Sequence, residues 1–170
     1  GESGINCLLN GGFEDLDANF HAYPWTQSAH VEYETASKKG GGHYSAQFEV
    51  APGRTDSLQQ KVHLPEGTYT LSLEIESYES ADVEVEISAT SGNHTFEERV
   101  PLNEYDGVTF PIPVSLRMEV PEEGTYEIEI RVTGGPGASV TEEGITVDNV
   151  MLSKSSGGVP YSLVEKGDFE

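Results

Sequence analysis

Cysteine is nearly missing from this sequence, positive charge is scarce, and long apolar runs are absent. Each lack removes a class of protein. A single cysteine, Cys7, rules out an intramolecular disulfide framework and a cysteine-based zinc site. Nine Lys+Arg stand against 30 Asp+Glu, a formal charge of −21. That field repels phosphate, which argues against nucleic acid and anionic membrane surfaces as partners. No run reaches the ~18 apolar residues of a spanning helix, so no membrane insertion is expected. The opening Gly1-Glu2-Ser3-Gly4 is not a signal peptide, so secretion would need a leader that was removed or left out. Catalytic motifs are missing as well. There is no His-Glu-x-x-His and no Gly-x-Ser-x-Gly, and His21, His30, His43, His63 and His94 are isolated from one another. Glutamate is abundant, so a glycosidase pair of carboxylates about 5–9.5 Å apart stays open, although no clustered motif announces one.

What remains is a chain of 170 residues, the size of one domain. A chain of this length buries roughly 70% of its unfolded surface and needs no staples. Its 19 Gly and nine Pro are scattered between short runs rich in Val, Ile, Tyr, Phe and Thr. That punctuation predicts an all-β fold, a two-sheet antiparallel β-sandwich. Side chains of a strand alternate between faces. In residues 68–77, Tyr69, Leu71, Leu73 and Ile75 form one face, and Thr70, Ser72, Glu74 and Glu76 the other. Residues 82–88, 114–120 and 125–132 alternate in the same way, and weaker strands are predicted at 30–35, 44–50, 58–64, 94–100, 107–110 and 145–152. Tyr69, Tyr126, Phe96 and Phe110 fall in step with aliphatics and read as core. Residues 15–39 read as a long excursion over the sandwich, the kind of segment that carries function.

The glutamates of the polar faces (Glu74, Glu76, Glu84, Glu86, Glu127 and Glu129) would repel one another if their strands were neighbours. They read either as a solvated face or as the lining of a groove for a cationic or strongly hydroxylated ligand. The tail offers an organisational clue. Leu163-Val164-Glu165-Lys166-Gly167-Asp168-Phe169-Glu170 echoes Cys7-Leu8-Leu9-Asn10-Gly11-Gly12-Phe13-Glu14 in register. The echo reads as a further module beginning at Leu163, though eight residues can also agree by chance. The division that follows is a β-sandwich module over 1–153, and a linker with the possible start of a following repeat over 154–170.

Several short motifs fall in a telling order: Leu8-Leu9-Asn10-Gly11-Gly12-Phe13-Glu14, then Trp25, then Gly42-His43-Tyr44-Ser45, then Gln60-Lys61-Val62, then Pro65-Glu66-Gly67-Thr68-Tyr69-Thr70-Leu71, and finally Asp148-Asn149-Val150-Met151-Leu152. Together they resemble the jelly-roll carbohydrate-binding modules of families four, nine, sixteen and twenty-two. The resemblance implies a jelly roll with a structural calcium ion joining the first and last strands. Its ligands would be the carboxylates of Glu14 and Asp148, with main-chain oxygens near Gly12 and His43. Such a set suits a hard cation that takes 6–8 oxygens at about 2.3–2.6 Å. Without that resemblance, Glu14 reads as a turn carboxylate and Asp148 as a strand-end cap.

Sugars are held by stacked aromatic rings and by amides and carboxylates that bond their hydroxyls. The candidate ligand-binding residues are Phe20, Tyr23, Trp25, Gln60, Tyr78 and Tyr105. For each, packing at the core or rim is the competing fate. The resemblance implies a non-catalytic polysaccharide- or oligosaccharide-binding module of a secreted or cell-surface, glycan-active protein, tethered to further modules. The alternative is a spacer or adhesin domain without glycan affinity.

Overall fold

A computed structural model of the chain describes residues 6–35, 44–78, 82–105 and 111–155. The predicted strand at 107–110, His43 and the tail from 156 onward lie outside the described residues.

Among the described residues ten strands follow one another: β1 (Thr26–Gln27), β2 (Val31–Thr35), β3 (Tyr44–Val50), β4 (Thr55–Leu64), β5 (Gly67–Tyr78), β6 (Val83–Ser91), β7 (His94–Pro101), β8 (Ile112–Val120), β9 (Gly124–Gly134) and β10 (Thr141–Lys154). They form two five-stranded sheets. Sheet A has the order β1-β4-β9-β6-β7, sheet B the order β2-β3-β10-β5-β8, and every neighbouring pair is antiparallel. The predicted all-β, two-sheet sandwich is the observed fold.

The two-residue period dictates the core. Leu58, Tyr126, Ile128, Ile130, Val85 and Ile87 of sheet A face Phe48, Leu71, Leu73, Ile75, Leu116 and Val147 of sheet B, all buried. Phe96 is half-buried, tilted against Tyr126 at 6.3 Å. The β4–β5 turn, Leu64-Pro65-Glu66-Gly67, closes with Gly67 at φ 152°, and the Tyr69 hydroxyl donates back to the Pro65 carbonyl at 2.7 Å.

The N-terminal segment is fastened to the last strand. The Cys7 amide donates to the Leu152 carbonyl at 2.7 Å, and the Val150 amide to the Gly11 carbonyl at 3.0 Å. Asn6 completes the bond pattern: its Nδ2 donates to Val150 O, and its Oδ1 accepts from the amides of Leu8 and Leu152. This segment acts as a clip. Gly11 is required there, because a Cβ would overlap the Val150 carbonyl oxygen. Phe13 then drives fully into the core between Trp25 and Tyr33, each ring 5.6 Å away.

Candidate functional site

Three features of this frame carry chemistry. The first is where the clip meets β10. The β10–β5 register runs Thr146↔Ser77, Val147↔Ile75, Asp148↔Glu74 and Met151↔Ser72. One extra residue therefore sits on β5 at Glu76 and one on β10 after Asp148, so bulges flank Asp148 on both sides. Asn149 takes the left-handed conformation, φ 55°, and donates its Nδ2 to Glu74 at 2.8 Å. The bulge resets the inward phase from Val147 to Val150 and leaves Asp148 only 7% exposed. Burial pushes the Asp148 carboxyl up to about 6 against the hydrogen bond from the Asn149 amide, and the charges of Glu76, Glu14 and Glu74 push the same way. Glu14 accepts from the Tyr44 amide at 2.9 Å.

No Lys, Arg or His among the described residues forms an ion pair with Asp148. A buried carboxylate within the negative field of Glu76, Glu14 and Glu74 has the donor chemistry a hard cation takes. Among the described residues no three His, Cys, Asp or Glu converge as a metal cage, so carbonyls would have to complete any such shell. The expected carbonyl near His43 lies outside the described residues, and Gly12 stands in the clip beside Glu14. A shallow groove of about 400 Å³ opens beside this junction on the outer face of sheet B. Its lining includes Asn6, Ser72, Glu74, Pro113 and Ser115, with no aromatic ring.

The second feature is the loop before β1. Asp17 caps it by accepting from the amides of Asn19 and His21, and both bonds hold its carboxyl below the usual range. Asn10 ties the loop to the clip: its Nδ2 donates to the carbonyls of Asp15 and Tyr23, and its Oδ1 accepts from the Asp15 amide. Phe20 and Tyr23 project from this loop, 66% and 79% exposed. Apolar rings held in water on a pinned loop are the kind of surface that binds.

Trp25 and Gln60 differ from expectation. Trp25 is 4% exposed, packed on Phe13, and its indole N–H donates to the Asn10 carbonyl. Gln60 is buried, and its amide is consumed by the main chain of Leu9, accepting from its N–H and donating to its C=O. The structure gives both residues a packing role where ligand contact was expected, because docking of the clip covers them. Tyr78 ends β5 and Tyr105 ends a short 3-10 turn at Leu102–Tyr105, and both side chains lie outside the described residues.

The third feature was read in the sequence only as a face of glutamates, solvated or lining a groove, without the cations and amides that stand among them. The outer face of sheet A carries a row of ionic and amide groups. Register sets Glu86 between Arg131 on β9 and Arg99 on β7. Arg131 bonds Glu86 directly, Arg99 reaches it at 3.3 Å, and Gln59 Nε2 donates to Glu129 at 3.1 Å. Glu127 stands opposite Lys61 and Glu129 opposite Gln59. The feared glutamate stacking therefore does not arise in sheet A, where cations and amides take the opposing positions. Glu86 is only 6% exposed although it points outward, because its neighbours close over it. Burial pushes its carboxyl up, but the hydrogen bond from Arg131 and the charges of Arg131 and Arg99 outweigh burial and hold it below the usual range. A signal was present in Glu84-Val85-Glu86 and Glu129-Ile130-Arg131, but only the register puts these groups in one row.

No family model matches the chain, and no curated protein does. Solved structures do. A family 61 carbohydrate-binding module in complex with β-1,4-galactotriose superposes with a TM-score of 0.67 at 21% identity, covering 89% of this chain and 100% of that one. A family 16 carbohydrate-binding module gives 0.58 at 16% identity, covering 86% and 99%. The enzymatically active domain of a tailspike protein of bacteriophage CBA120 gives 0.63 at 16% identity, covering 89% of this chain and 22% of that one. The chain has the jelly-roll fold of carbohydrate-binding modules. In this module the exposed aromatics stand on the loop that runs into β1, the edge strand of sheet A, and the polar row crosses that same sheet. The acidic junction belongs to sheet B.

Proposed function

We propose that the module binds a neutral polysaccharide or oligosaccharide without cleaving it. The observation that carries this reading is the prearranged polar row of sheet A on a carbohydrate-binding fold. Gln59, Glu129, Arg131 and Glu86 are already oriented by one another, so bonding to sugar hydroxyls would cost little side-chain ordering. Phe20 and Tyr23 would supply apolar stacking from the loop before β1. The net charge disfavours an anionic glycan. A structural calcium ion would sit at the acidic junction, held by Glu14 and Asp148 with carbonyls near Gly12 and His43. When bound it would neutralise carboxylates that now repel. The setting would be a secreted or cell-surface, glycan-active protein in which the module is tethered to others and raises the local concentration of its partners on a polysaccharide.

Affinity electrophoresis against a panel of neutral polysaccharides, with and without chelator, tests the reading. Retardation on at least one glycan is expected, weakened roughly tenfold or more by Glu129→Ala with Arg131→Ala, an effect of about 1.4 kcal/mol. Retardation on none would sink it. A second reading, a spacer or adhesin domain without glycan affinity, draws on one observation: the outer face of sheet A presents no Phe, Trp or Tyr among the described residues.

A further inference from the structure

The slot that holds the clip makes specific demands, and a second stretch of the same chain meets most of them. At Gly11 any Cβ would overlap the Val150 carbonyl oxygen, so only glycine fits, and the matching residue of the tail is Gly167. At Gly12 the nearest atom to a Cβ is Glu14 Cγ at 3.6 Å, so a side chain is tolerated, and the tail carries Asp168. Leu8 is buried and is matched by Val164, whereas Leu9 is exposed and is matched by Glu165. Phe13, fully buried, is matched by Phe169, and Glu14 by Glu170. An arbitrary acidic octapeptide would not place its glycine, its aromatic ring and its apolar residue where the slot requires each.

Two positions depart: Asn6, whose amide bonds Val150, Leu8 and Leu152, is matched by Ser162, and Asn10 by Lys166. Asn10 adopts φ 55° and makes three side-chain hydrogen bonds to the loop, and Lys166, which has donors but no acceptor, cannot receive the one from the Asp15 amide.

The path is short as well. The clip runs antiparallel to β10, with Cys7 against Leu152 and Gly11 against Val150, so it enters at the end where β10 leaves the sheet. Strand pairing continues to Ser155, whose amide donates to Thr68. From there to Leu163 the chain can extend up to about 26 Å, far more than a return turn against β10 needs.

We infer that residues 163–170 are an alternative occupant of the clip's slot on β10. In the intact chain the N-terminal segment holds the slot through Asn6 and Asn10, and the tail enters when that segment is weakened. This inference is independent of glycan binding.

The test is a set of double-variant cycles on the full chain, read by melting temperature. Gly167→Val and Phe169→Ala alone should leave the transition unchanged. Gly11→Val, which expels the clip by steric overlap, should lower it and speed labelling of the Cys7 thiol. Adding Gly167→Val or Phe169→Ala to Gly11→Val should lower it further, beyond the sum of the single effects. Asn10→Ala, which weakens the clip without a clash, provides a milder background should Gly11→Val not fold. If the tail substitutions add nothing beyond their single effects on both backgrounds, the tail does not enter the slot and the inference is overturned.

Discussion

At the residue scale, the module separates rings that hold it together from rings it shows to solvent. Trp25→Ala should destabilise by about 3–5 kcal/mol, since it empties a buried site beside Phe13. Phe20→Ala and Tyr23→Ala should change stability by less than about 0.5 kcal/mol. Urea denaturation of the three variants measures both, and equal losses would contradict the burial pattern. In the sequence these rings look alike, because burial of a loop aromatic depends on what docks over it. Gln60 was illegible for the same reason: a strand amide facing inward reveals its purpose only once Leu9 is seen lying against it.

Asp148 supplies a pH prediction at this scale. Its folded value, about 6, lies above the ordinary 3.8, so the native state holds that proton more tightly than the unfolded chain. Its contribution to the stability of chelator-treated protein is therefore present at about pH 4, falls as pH rises to about 6, and stays lost above. The difference in melting temperature between wild type and Asp148→Asn should follow that course. A pH-independent difference would remove the assignment.

At the element scale, strands were the most legible part of the sequence. Strict alternation in β5, β6, β8 and β9 fixes which face is buried, since a slip of one residue would expose the whole apolar set. The bulge in β10 also left a trace: Ile145 and Val147 keep one phase while Val150 and Leu152 keep the other. Pairing between strands was not legible. The glutamates of β6 and β9 looked like mutual repulsion until register brought Arg131 and Arg99 beside Glu86. Glu86→Ala should accordingly destabilise by about 2 kcal/mol, because it leaves two guanidinium groups facing each other. Arg131→Ala combined with it should cost less than the sum of the singles, as a double-mutant cycle in urea would report. The lowered Glu86 carboxyl stabilises the fold above the ordinary glutamate value, and this contribution is lost as acid takes the pH below it.

At the scale of the whole molecule, a formal charge of −21 sits on one sandwich. Sodium chloride should raise the melting temperature of chelated protein by screening that self-repulsion. Calcium at concentrations too low to alter ionic strength should raise it separately if the acidic junction holds the ion. The calcium effect, unlike the salt effect, should vanish in Glu14→Ala with Asp148→Asn. Scanning calorimetry in the two series distinguishes them.

The clip also has a kinetic consequence. Asn6 reaches across 144 positions to Val150 and 146 to Leu152, so the sandwich cannot be fastened until almost all of its chain is available. Contacts so remote in sequence make loop closure the slow event, which places folding in the millisecond-to-second range. During synthesis β3 and β5 therefore wait for the strand between them, and the emergence of β10 decides when the earlier strands become safe from unwanted pairing.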